Sequence, residues 1–400
     1  MPTDYEAITQ DNVKRRGTEF ADIGRLISEQ LYSDRTHFIY ELIQNAEDAL
    51  SRRFKASPNS NLPNSIHFKL SKDKLEVRHF GQPFDENDVK AISDVLKGTK
   101  TDDDQQIGRF GIGFKSVYAF TSTPEVHSGD EHFQLTEYIK VQEVSEHNVA
   151  ENETLFVFPF NHHKEVPREI YKRIQDRFFK LDEKTILFLR FIDEISWSIE
   201  GEEKTSLRKV VTPITVGCDR VDILQGKSKN SWLIFYKSGE KVDRKVEVAF
   251  KLTKDEKTLS EKIEPIKKSP LIVFLPTEFE TDLRFLVNGP YLTTPARDRP
   301  LDEGNEDLIE LTAELVAEIP SLLKDDKNLK SLDLLKIEFY NALPIRKEDF
   351  EKNDKFISVF HAVKEALLSK ELLPSTKDEH YISASNAKLA RSSDLRKLLL

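Results

Sequence analysis

The sequence predicts an α+β protein: a mixed sheet covered by helices, then a second α/β domain, then a mainly helical C-terminal segment. Three observations carry this reading. Residues 1–160 interleave helical apolar patterns with short alternating runs. Strand-like stretches then recur at 193–199, 208–216, 231–237, 245–252 and 271–275. From Leu301 onward the apolar spacing turns helical through Leu308, Leu311, Leu315 and Ile319. At 400 residues the chain exceeds what one core usually organises, and we place boundaries near 200 and 330, giving domains 1–200, 201–330 and 331–400.

Taken in order, residues 19–55 read as helical, with a start at Ser33 or Asp34, both good N-caps. Phe38, Leu42, Ile43, Ala46, Ala49 and Leu50 mark the packed side, and Glu41, Asn45 and Asp48 share a polar stripe. Two alternating runs, 66–70 and 75–79, flank a Ser-Lys-Asp-Lys turn and predict a hairpin with Leu75, Val77 and His79 on one face. Asp85 opens a helix over 85–96. A polar stretch from Gly98 to Gln106 leads into Gly108, Gly111 and Gly113 and a helix to about Phe120. Alternating runs at 132–141 and 154–159 continue the sheet.

Bulk composition narrows the function classes. A net charge of −10 with 32% charged residues describes a solvated surface, not one that grips a nucleic-acid backbone throughout. The single cysteine, Cys218, excludes an internal disulfide and a cysteine-rich zinc site. The first twenty residues hold no secretory signal, and the apolar runs 185–192 and 271–275 are too short to span a bilayer. The expectation is a cytoplasmic protein with no membrane partner, ending abruptly on Leu398-Leu399-Leu400 as a fragment of something longer would.

The candidate chemistry lies in the first third. Five of the 14 glycines fall between Gly81 and Gly113, where backbone would approach a phosphate closely. Gly-x-x-Gly-x-Gly entering a helix offers free N–H groups and a positive helix end to an anion. Asn45 supplies one amide oxygen to a magnesium ion whose other ligands are phosphate oxygens and water. Glu41, one turn earlier, points the same way and is placed to orient or deprotonate a water for in-line attack. Asp48 stands behind them. Lys115 and Lys100 are candidate phosphate partners. His162-His163 lacks companions for a metal set.

These boxes resemble those of the GHKL superfamily: gyrase B subunits, MutL, the ninety-kilodalton heat-shock chaperones and histidine-kinase catalytic domains. The segments from Tyr32 to Leu50 and from Lys97 to Tyr118 are chaperone-like. Within the superfamily the chain resembles the sacsin-type subfamily, through His79-Phe80-Gly81-Gln82-Pro83-Phe84 and through Phe285 to Asp298. The resemblance implies a Bergerat-type ATP-binding sandwich followed by a transducer-like domain, with ATP and Mg2+ as cofactors.

Carried over by position, it makes Glu41 the water-activating glutamate and Asn45 the magnesium ligand. Gly108, Gly111 and Gly113, followed by Phe114, become the phosphate-cradling box, and residues 98–110 the nucleotide lid. Thr154 becomes a threonine near the base, and Arg297, with Arg299 in reserve, the basic residue that a second domain sends into the site. The family's Asp-x-Gly-x-Gly box is changed here: His79 stands where an aspartate meets the adenine amino group, and Pro83 replaces the second glycine. A carboxylate only accepts, whereas a neutral imidazole accepts with one nitrogen and donates with the other.

The implied activity is an ATP-driven switch with slow hydrolysis, paired as a homodimer through residues 1–30, at the front of a larger chaperone-like or antiviral-defence protein. A nucleotide-binding scaffold with little turnover is the alternative, favoured by His79 and Pro83 and opposed by Glu41. A histidine-kinase reading fits poorly, because only about thirty residues precede the Asn45 helix. The residues name no client protein or nucleic acid.

Overall fold

The computed structural model describes residues 3–16, 37–94, 113–239, 244–255, 259–294, 296–350, 354–375 and 380–388. The expected lid, Lys100, Gly108, Gly111, Ser33 and Asp34 lie outside these residues. The chain divides into two compact units: residues 1–210 with 223–229, and residues 211–222 with 230–400. Both are mixtures of helices and sheet whose strands run parallel and antiparallel.

In the first unit, α1 (Tyr5–Arg16) and α2 (Phe38–Ala56) precede the hairpin β1 (Ser65–Leu70) and β2 (Lys74–His79). Next come α3 (Glu86–Ser93) and a 3₁₀ helix, Gly113–Ala119. Strands β3 (Glu125–Ser128), β4 (Glu131–Thr136), β5 (Lys140–Glu143) and β6 (Thr154–Pro159) follow. Helices α4 (Pro167–Phe178) and α5 (Glu183–Leu187) lead to β7 (Glu194–Ile199) and β8 (Thr205–Thr215). The strand order is β7-β1-β2-β6-β3-β4-β5. β1 pairs parallel with β7, matching Phe68 to Trp197, and β2 pairs antiparallel with β6, matching His79 to Thr154.

Local chemistry explains these elements. α2 buries Phe38, Ile39, Leu42, Ile43, Ala46, Ala49 and Leu50, the stripe the sequence marks. Phe38 packs on Phe120 with ring centroids 4.2 Å apart, joining α2 to the end of the 3₁₀ segment. On α4, Phe178 meets Phe68 at 5.5 Å and Trp197 at 6.1 Å, which closes the helix over β1 and β7. Burying rings of this size stabilises by about 1.5–3 kcal/mol each. At α3, Asp85 Oδ1 accepts from the N–H groups of Asn87 and Asp88, and Asp88 Oδ2 accepts from Asp85 N–H, a reciprocal capping box.

Two expectations are corrected. The run 132–141 is not one strand: Glu137 (φ 48°) and Tyr138 (φ 69°) adopt the left-handed region and turn β4 into β5. The signal in the sequence is slight: the apolar alternation of Phe133, Leu135, Ile139 and Val141 is interrupted only where Glu137 and Tyr138 stand in each other's place. The helix after the glycines is 3₁₀ rather than α over the described residues.

The second unit contains β9 (Cys218–Gln225) as far as Asp222, β10 (Ser228–Ser238) from Asn230 on, β11 (Lys245–Lys254), β12 (Glu261–Glu264), β13 (Pro270–Val273), β14 (Leu275–Glu280) and β15 (Leu286–Asn288). They follow the order β14-β13-β15-β11-β10-β9, with β12 beside β11. Helices α6 (Glu306–Asp325), α7 (Lys327–Lys330), α8 (Ile337–Ala342) and α9 (Ile357–Ser369) complete it. Its core joins Phe235, Phe250 and Phe285 of the strands to Leu308, Leu315 and Ile319 of α6, Phe339 of α8, and Phe356 and Phe360 near α9. No helix among the described residues is long and apolar enough to cross a membrane.

Candidate nucleotide site

Helix α2 sets the first wall. Glu41, Asn45 and Asp48 fall at i, i+4 and i+7, so the spacing brings them to one face. Glu41 is nearly buried, and its carboxylate lies directly on Gly113: a Cβ built there would sit 1.9 Å from Glu41 Oε2. Glycine at 113 is therefore demanded by close approach, and the helix acid and the last glycine of the box are neighbours in space. His37 Nδ1 stands 3.7 Å from Glu41 Oε1. Asn45 is half-buried, and among the described residues its carboxamide makes no hydrogen bond. Asp48 is half-buried on the same stripe.

The other wall begins at the end of β2. His79 is 2% exposed on the face it shares with Leu75 and Val77. Its Nδ1 accepts from Gly81 N–H at 3.1 Å. Burial, helped by the charges of Arg52 and Arg53, pulls its pKa down to about 3, so the ring is neutral. Gly81 is wedged between sheet and helix: a Cβ there would meet Ala49 Cβ at 2.4 Å. Gln82 N–H donates to Ala49 O at 2.9 Å, so α2 holds this loop one turn beyond Asn45. Thr154 is fully buried, its Oγ1 2.6 Å from Ser128 Oγ, which also accepts from Phe84 N–H at 3.0 Å. Phe114 follows Gly113 and lies against Phe156 with centroids 5.9 Å apart; His79 and Phe84 each stand 6.0 Å from the same ring.

Two predicted cations take other partners in this structure. Lys115 is 1% exposed, and its Nζ donates to Ile92 O at 2.7 Å and Tyr138 O at 2.6 Å. Its ammonium ties the end of α3 to the β4–β5 turn instead of facing a phosphate. Burial draws its pKa down to about 7, against the pull of Asp94. In the second unit, the Arg297 guanidinium donates to Val273 O at 2.6 Å and Leu275 O at 3.2 Å. Arg297 also has a φ of 57°.

The sequence reading missed two residues on α2. Glu47 is buried, and its carboxylate accepts from three successive N–H groups: Arg190 and Phe191 on Oε1, and Ile192 on Oε2 at 2.8 Å. Burial pushes its pKa up, while these N–H groups and Lys209 pull it back. Arg53 donates to Phe80 O and Pro63 O and to Asn64 Oδ1, holding the residue after His79 in place. Both continue the packed side, Glu47 four residues after Ile43 and Arg53 four after Ala49, and periodicity carries no mark for a paired buried charge. Among the described residues no group of three His, Cys, Asp or Glu side chains is placed to hold a metal.

This ordered set of helix acid, amide, histidine loop and glycine coincides with residues 22–136, which match the family described as the Sacsin domain. Residues 22–136 are thus similar to the Sacsin domain, consistent with a sacsin-type GHKL domain. Beyond that domain, the chain is 25% identical to the Protein NO VEIN of Arabidopsis thaliana over 340 residues, 77% of this chain and 12% of that protein. It is 32% identical to human sacsin over 126 residues, 29% of this chain and 3% of sacsin. Chaperone protein HtpG of Campylobacter jejuni subsp. doylei is 33% identical over 131 residues, 28% of this chain and 22% of HtpG. The chain thus spans less than a quarter of the length of each of these relatives. The matched residues lie inside the first unit and include both Glu41 and Gly113.

Proposed function

We propose that the first unit binds ATP in a magnesium-dependent manner and hydrolyses it slowly, as the Bergerat-type ATPase module of a larger chaperone-like or defence protein. The supporting observation is the Glu41 carboxylate lying on Gly113 while Asn45, one turn on, keeps its amide unengaged among the described residues. A half-buried amide oxygen with no internal partner fits a hard cation that retains most of its water and phosphate ligands. Bound magnesium would offset charge on the phosphate oxygens. Asn45 would hold that ion, and Glu41 would orient the attacking water and take its proton. Gly113 lets the phosphate-binding backbone reach the acid.

The rest of the proposal follows from the family. Lid closure over residues 98–110 and docking of the second unit would drive the conformational switch. Arg297 would exchange the carbonyls of Val273 and Leu275 for phosphate oxygens in the closed state. Pairing of two copies through the N-terminal segment and a cytoplasmic setting belong to the same reading. A second reading, binding with little turnover, is favoured by the largely buried, neutral His79 at the base end.

Thermal unfolding with ATP and magnesium tests the binding. Stabilisation of the wild type that vanishes in Asn45→Ala supports the site, and an equal response in both proteins removes it. Glu41→Ala then separates the readings: retained binding with phosphate release cut by about a hundredfold or more indicates hydrolysis through Glu41. A wild type that binds and releases no phosphate leaves the scaffold.

A further inference from the structure

The hydrogen bonds around His79 specify which base edge the site reads, an inference that rests on the nucleotide-binding reading above. A neutral imidazole has one donor and one acceptor nitrogen. Nδ1 already accepts from Gly81 N–H, so the ring proton is on Nε2. Two features hold this tautomer. Gly81 cannot move away, because Ala49 closes on it from α2, and Arg53 grips the carbonyl of Phe80 between the two residues. Nε2–H has no hydrogen-bond partner among the described residues and is not sealed from solvent, so the ring's residual exposure reaches it.

The surroundings suit a flat heterocycle. Phe156 stands beside the imidazole at 6.0 Å, and Phe84 and Phe114 pack on Phe156 at 6.0 and 5.9 Å. The nearby hydroxyls of Ser128 and Thr154 bond to each other, and Ser128 also accepts from Phe84 N–H. One hydroxyl proton of that pair is left over but fully buried, so among the described residues here the imidazole N–H is the partly exposed polar hydrogen left to meet a base.

We infer that His79 turns the base end of this site into a hydrogen-bond donor, which reads an acceptor on a purine and admits 6-oxopurine nucleotides beside ATP. The 6-amino group of adenine is itself a donor and opposes Nε2–H, whereas a ring nitrogen of adenine, or O6 of guanine or hypoxanthine, accepts from it. An aspartate at this position would accept from the amino group and make it the identifying feature. Here the amino group contributes little.

Calorimetric titration of the full chain with magnesium and four triphosphates tests this: ATP, GTP, ITP and purine riboside triphosphate, which lacks any 6-substituent. The expected result is affinities within about tenfold of one another, since one neutral hydrogen bond contributes about 0.5–1.5 kcal/mol. His79→Asp should shift preference toward ATP by about tenfold or more, a hydrogen bond to a charged acceptor being worth about 1.5–3 kcal/mol. The four wild-type titrations decide the matter even where that variant fails to fold. Tight ATP binding with a hundredfold loss for GTP, ITP and purine riboside triphosphate overturns the base inference and leaves the nucleotide site standing. Binding of none of the four overturns both.

Discussion

Two sides of helix α2 each carry a glutamate and a second polar side chain, and do opposite work. On one side, Glu41 reaches out to the backbone at Gly113, and Asn45 keeps its amide unengaged among the described residues. On the other, Glu47 is closed onto the N–H groups of residues 190–192, and Arg53 onto carbonyls and an amide of the loops at 63–64 and 80. The contrast teaches that a buried charge whose partners are all internal fastens the fold. A polar group at helical spacing whose bonds remain to be made is where a ligand can enter.

Removing the fastening side should break the comparison most strongly. Glu47→Ala leaves three N–H donors without an acceptor, two part-buried and that of Ile192 buried, and a loss on the order of 3 kcal/mol is expected in urea unfolding. A change below about 1 kcal/mol would mean that water replaces the carboxylate and that the two sides differ less than their geometry suggests.

Acid should sharpen it next, through the site side. The His79 pKa is about 3 in the folded protein against 6.5 for a free histidine, so between these values the unfolded chain binds more protons. Its contribution is complete above pH 6.5 and is lost as pH falls toward 3, with a slope near one proton, about 1.4 kcal/mol per pH unit. Unfolding of His79→Asn measured across this range should be shallower by that proton. An unchanged slope would place the acid sensitivity elsewhere and remove the neutral ring that the base reading uses.

The smallest effect on stability is expected at Asn45. With no internal hydrogen bond to lose, Asn45→Ala should unfold within about 0.5 kcal/mol of wild type in the absence of nucleotide. A loss above 2 kcal/mol would make Asn45 a fastening residue like Glu47 and move it across the comparison.

Much of the fold was legible because local patterns survive packing. The apolar stripe of α2, the hairpin with Leu75, Val77 and His79 inward, and the Asp85 cap all stand where period and residue type place them. The β4–β5 turn was hardly legible, since Glu137 and Tyr138 adopt positive φ without glycine or asparagine, and a two-residue slip in the alternation is its only mark. The site divides in the same way. The spacing of Glu41 and Asn45 is fixed by one helix, and the reason for glycine at 113 became visible only when Glu41's carboxylate was found against it.

By itself, then, the sequence determined the α+β class, the polar stripe of α2 and the sacsin-type boxes, because each is written in residues a few positions apart. Tertiary structure alone decided that Lys115 bonds Ile92 O and Tyr138 O, that Arg297 bonds Val273 O and Leu275 O, and that Glu47 is a fastener. It also decided which nitrogen of His79 carries the proton. The physical reason is that a side chain's partner is set by what folds against it, from as far as 145 positions along the chain in the case of Glu47 and Ile192.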